Sequence, residues 1–98
     1  MELSSVQIQN LTEALIAAFY TKASLAQMVR FSLNEKLDVI AGGTDLGEIA
    51  FNLVQWAEAQ GKIEELLIGA CGHNPGNSKL KAISQELLAT TLEVTPDQ

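Results

Sequence analysis

Positive charge is scarce in this chain: six Lys and Arg stand against twelve Asp and Glu, a formal net charge of -6. Affinity for nucleic acid comes largely from basic side chains that displace counterions from phosphate. The six are also scattered, with only Lys79 and Lys81 close together. DNA, RNA and anionic membranes are therefore poor partners. A single cysteine, Cys71, leaves no internal disulfide to form, which excludes a secreted disulfide scaffold. With two prolines and 47% hydrophobic residues, the chain does not have the composition of a disordered segment. No apolar run approaches the roughly 18 residues that a membrane span requires. Met1 to Ser5 show neither the basic nor the apolar region of a signal peptide, so a cytoplasmic location is expected.

What is present favours helix. Leu, Ala, Glu and Gln dominate, and 98 residues suffice for one compact core. The richest stretch runs from Asp45 to Gly61. Leu46, Ile49, Ala50, Leu53 and Ala57 recur at three- and four-residue steps, and Phe51, Val54 and Trp56 put apolar bulk outside that stripe. A helix apolar on more than one side belongs in the middle of a protein, so the rest of the chain is expected to pack around this one. Asp45 can cap its start, and Gly61 can take the left-handed conformation that ends it.

Five more helices follow from the same arithmetic. Ser4 and Gln7 have capping-box spacing before a helix over about residues 5–19, with Ile8, Leu11, Leu15, Ala18 and Phe19 on one face. Thr21 opens a second, lined by Leu25, Met28, Val29 and Leu33, with Phe31 outside the stripe. Asn34 is the expected cap of a short third helix carrying Leu37, Ile40 and Ala41. Gly42 and Gly43 then allow a tight reversal through positive φ. In the fifth helix Ile63, Leu66, Leu67, Ala70 and Cys71 face inward. Gly69 and Gly72 mark either close helix approach or fraying. His73 to Ser78 is the strongest turn signal, and Asn77 or Ser78 can cap a last helix with Leu80, Ile83, Leu87 and Leu88 inward. The expected domain spans residues 1–90, with 91–98 as a flexible tail or the start of a linker.

Catalytic constellations are missing. Cys71 and His73 are the only thiol and imidazole, and two residues apart on a helix they point about 200° from each other. Cys71 reads as a buried structural residue and His73 as a helix-end residue. One Cys and one His do not supply the three or four ligands of a transition-metal site, so neither metal nor cofactor is expected. The glycines before Asp45 lack the downstream Lys-Ser/Thr pair of a phosphate loop. Trp56 reads as a core anchor, with a partly exposed interface role as the alternative.

Taken together, Arg30, Phe31 and Leu33, then Leu37, Ile40 and Ala41, then Phe51, Leu53, Val54, Trp56, Ala57, Glu58, Ala59 and Gly61, then Leu66 and Asn74 to Asn77 closely resemble the effector-associated domain 1 family of bacteria. Ser78 and the Cys71-Gly72 pair depart from the family pattern. The resemblance implies an all-α fold, a six-helix antiparallel bundle of death-domain-like architecture. It also implies a noncatalytic adaptor in bacterial conflict or programmed-death-like signalling. Partners implied by it are like domains fused to peptidase, TIR or NTPase modules, with self-association as a related expectation.

Charge then sets the expected binding surface, because electrostatic complementarity governs partner choice. An acidic side of Glu35, Asp38, Glu64 and Glu65 is expected to oppose a basic side of Lys22, Arg30, Lys79 and Lys81. The competing classes are a structural subunit of a larger complex and a small acidic carrier protein. An acyl carrier resembles this composition and carries a serine between the Asp and Leu that open its helix. Here Asp45 runs directly into Leu46, so that serine is absent.

Overall fold

Four helix starts in this chain are fixed by side-chain oxygens that take up otherwise unpaired amides. The computed structural model describes residues 3–93 and contains α1 (Ser5–Ala18), α2 (Lys22–Leu33), α3 (Leu37–Ile40), α4 (Leu46–Gln60), α5 (Ile63–His73) and α6 (Ser78–Glu93). Ser4 and Gln7 form the reciprocal capping box before α1: the Gln7 amide donates to Ser4 Oγ at 3.2 Å, and the Ser4 amide donates to Gln7 Oε1 at 2.9 Å. Thr21 Oγ1 accepts from the Ser24 amide, Asp45 Oδ1 from the Glu48 amide and Asn77 Oδ1 from the Leu80 amide. The chain is all-α, with six helices and no strand among the described residues.

Two local readings change. Asn34 does not cap α3. It adopts φ 56, ψ 37 and closes α2 in the left-handed conformation, which Asn tolerates better than most residues. The single turn of α3 follows Lys36, with no side-chain cap. Gly42 and Gly43 make the reversal before α4 without positive φ; among the described glycines only Gly61, at φ 69, adopts it. Gly43 instead sits in tight space: a Cβ there would lie 3.1 Å from both Ile49 Cγ1 and Glu48 Cγ, which would have to give by a few tenths of an ångström. The loop is secured by Thr44, whose amide and hydroxyl both donate to Glu48 Oε1, and by Asn52, whose side-chain amide donates to the Gly42 carbonyl.

The helices bury one continuous core. Leu11, Leu15, Leu25, Met28, Leu53, Leu66, Leu67 and Leu80 are fully enclosed. At roughly 1.5 to 3 kcal/mol for each large apolar side chain removed from water, they dominate the favourable side of folding. Helices α1 and α4 lie side by side and antiparallel. The Leu3 amide, just before α1, donates to Glu58 Oε2 near the end of α4, while Ile16 reaches Gly47 at its beginning. On its other flank α1 packs against α6, and α2 packs against α5. The Asn74 side chain, just after α5, ties that helix to the end of α1 by donating to the Ala18 carbonyl at 2.8 Å.

Helix α4 is not the single hub that its apolar content suggested. It shares the centre of the bundle with α5: α4 contacts α1, α3 and α5, and α5 contacts α2, α4 and α6. The apolar bulk outside the α4 stripe faces outward in part: Phe51 is exposed and Trp56 is half-buried against the core. At the other end of the chain, α6 continues to Glu93, so the boundary expected after residue 90 falls within a helix. Of the tail or linker expected over 91–98, residues 94–98 lie outside the described residues.

Candidate protein-interaction surface

The charged residues expected to meet a partner are dispersed over α2, the loop after it, α3, α5 and α6. Glu64 and Glu65 occupy the first turn of α5, where their charge complements the helix dipole. Lys79 and Lys81 lie at the beginning of α6, where the dipole opposes theirs. Arg30 is in the last turn of α2 and its Nη1 donates to Asn34 Oδ1 at 3.4 Å, a long contact. Glu35 is half-buried in the following loop.

The division into an acidic and a basic side fails for one pair. Lys22 Nζ lies 2.9 Å from Asp38 Oδ1, so two residues assigned to opposite sides neutralise each other on one. Both side chains are exposed, and exposed pairs of this kind contribute about 0 to 1 kcal/mol.

Cys71 and His73 turn to different neighbours. Cys71 is half-buried and its Sγ donates to Ser84 Oγ at 3.0 Å; Ser84 itself is buried. His73 stacks on Phe31, with ring centroids 6.1 Å apart and planes 17° from parallel. Phe31 is 75% exposed, so this aromatic pair lies on the surface of the α2–α5 seam, and Ile68 on α5 is also exposed. Among the described residues no three His, Cys, Asp or Glu side chains gather as metal ligands would, and no helix is long and apolar enough to cross a membrane.

The charge-based reading missed a groove between α1 and α4. Its volume is about 380 Å³, and Ile8, Thr12, Glu13, Phe51 and Gln55 form much of its lining. Two signals for it are present in the sequence. Phe51 falls outside the buried stripe of α4, and neither α1 nor α4 contains a Lys or Arg.

The domain is an all-α bundle of six helices with dispersed surface charge and exposed apolar side chains such as Phe31, Phe51 and Ile68. The family model for effector-associated domain 1 matches residues 1–88, and the chain belongs to that family. No curated protein and no solved structure gives a significant match.

Proposed function

We propose that this domain is a noncatalytic adaptor that recruits effectors through contacts with like, death-like helical domains in a bacterial conflict or programmed-cell-death-like system. Family membership over residues 1–88 carries the reading, because the family is defined by association with effectors. The partner in this proposal is a like domain joined to a peptidase, TIR or NTPase module, and the encounter is cytoplasmic. Self-association belongs to the same proposal, since head-to-tail contacts between copies extend into filaments when they do not close. Arg30, Glu35, Glu64, Glu65, Lys79 and Lys81 tune which partner is accepted, with Lys22 and Asp38 contributing as a local pair.

Immobilised wild-type domain, incubated with tagged domains of the same family, tests this directly. Selective retention of at least one such domain, weakened by charge reversal at Lys79 or Glu64, supports the proposal. Failure to retain any domain encoded by the same genome, together with a monomeric mass by light scattering at high concentration, overturns it.

A further inference from the structure

Net charge is distributed unevenly between the helices. Helices α2, α3 and α5, with Glu35, Lys36 and Lys62 in the loops that lead into them, carry four basic and four acidic residues, which cancel. The whole of the -6 therefore resides on α1, α4, α6 and the residues around them, where Lys79 and Lys81 are the only cations. The neutral set also bears most of the apolar exposure. Among the described residues six large apolar side chains are exposed, and Tyr20, Phe31, Val39 and Ile68 lie on these three helices or at the entry to α2. Tyr20 and His73 line one surface depression, His73 stacks on Phe31, and Ile68 stands one turn before Gly72 on the same exposed face of α5.

We propose that a second copy of this chain docks on the α2–α5 seam, the same seam of both copies pairing across a two-fold axis with Phe31 near its centre. Exposed apolar surface anchored by aromatic side chains is where interfaces concentrate their energy. Charge selects the occupant. A cationic partner gains little at a neutral face and is drawn to the acidic helices instead, whereas a second copy, itself at -6, meets its least repulsion here. A two-fold interface must also be complementary to itself, and a face with an apolar centre and both signs of charge in equal number meets that condition. The pairing rests on the self-association included in the reading above and narrows it to a closed dimer, with α1, α4 and α6 of each copy turned outward.

The test is sedimentation equilibrium of the full chain over a concentration series at low and high salt. The expected result is a monomer–dimer equilibrium that goes no further and that tightens as salt screens the repulsion between two acidic copies. Phe31→Ser, at a position 75% exposed, should weaken it about tenfold, as loss of an interface anchor does. Ile68→Glu, 63% exposed, sets a like charge on the seam of each copy and should weaken it as well; circular dichroism of both variants should show an unchanged fold. Phe51→Ser, on α4, should leave the equilibrium as it is. A monomer at every concentration, assemblies that grow beyond a dimer, a dimer weakened by salt, or a dimer unaffected by both seam variants would overturn the proposal. A chain that stays monomeric yet retains a different like domain in the capture experiment removes this pairing alone; one that stays monomeric and retains none removes the adaptor reading with it.

Discussion

Gly69 and Ser32 meet where α5 crosses α2, and their contact leaves no room for another Cβ: an atom built on Gly69 collides with both Cβ and Oγ of Ser32. The crossing draws its closeness from the missing side chain. Gly72, one turn further on, has nothing within 4 Å of the same construction. Two glycines in one helix therefore have opposite roles, one packed and one open.

Gly69→Ala should destabilise the domain by about 1 to 3 kcal/mol, because overpacking at the crossing outweighs the helix-propensity gain of up to about 1 kcal/mol. Gly72→Ala should stabilise it by about 0.5 to 1 kcal/mol, since only the propensity term operates. Urea denaturation of both variants measures the contrast. Adding Ser32→Gly to Gly69→Ala should recover much of the loss, and a strictly additive double mutant would show that the two residues do not share a contact.

Trp56 packs against the core while remaining half-buried, which lowers the expected effect of removing it. Trp56→Ala should cost about 2 kcal/mol, below the roughly 3 to 5 kcal/mol typical of an enclosed aromatic. Leu53, fully buried three residues earlier, serves as the internal reference, and Leu53→Ala should cost about 3 kcal/mol or more. Equal losses in chemical denaturation would mean that Trp56 is as tightly enclosed as Leu53.

Asn34 holds a left-handed φ at the end of α2, a conformation glycine adopts at little steric cost. Asn34→Gly should change stability by a few tenths of a kcal/mol at most, whereas Asn34→Val should cost about 1 kcal/mol or more because a branched Cβ opposes positive φ. Thermal unfolding measures both changes, and Asn34→Ser distinguishes this from an α3 N-cap: Ser would keep a cap's side-chain acceptor and be tolerated there, whereas its Cβ opposes the left-handed φ and should cost stability.

The outcomes at Asn34, Gly43 and Phe51 show which parts of this molecule are written locally. Caps at Ser4, Thr21, Asp45 and Asn77 are legible because an oxygen and an amide three residues apart make them. Buried stripes are legible because helical periodicity reports which side chains share a face. Asn34 is ambiguous because the same residue type favours a cap and a left-handed C-terminus. Gly69 is constrained by Ser32, a distant neighbour that no local pattern names, and Gly43 by Glu48 and Ile49, which approach it only once the loop has turned. The groove beside Phe51 needs the pairing of α1 with α4 before it exists, so charge counting along the chain led to eight charged residues instead, Lys22 and Asp38 among them. Those two residues meet only when α2 and α3 fold together.

Lys79 offers a separation of binding from stability. It sits in the first turn of α6, where the helix dipole disfavours a cation, and no acid accompanies it in that turn. Replacing it with Glu should raise stability by about 0.3 to 1 kcal/mol, as anions at helix N-termini do. If the lysine takes part in partner choice, the same substitution should lower retention of a like domain in the capture experiment, so the two readouts move in opposite directions. Lys79→Gln is the informative intermediate: it removes the unfavourable dipole interaction without adding a negative charge. Its retention should fall between those of wild type and Lys79→Glu, with the salt dependence of capture reduced in step. Retention unchanged in both variants, alongside the expected gain in stability, would remove Lys79 from the binding surface and leave the family-level reading to rest on the other charged residues.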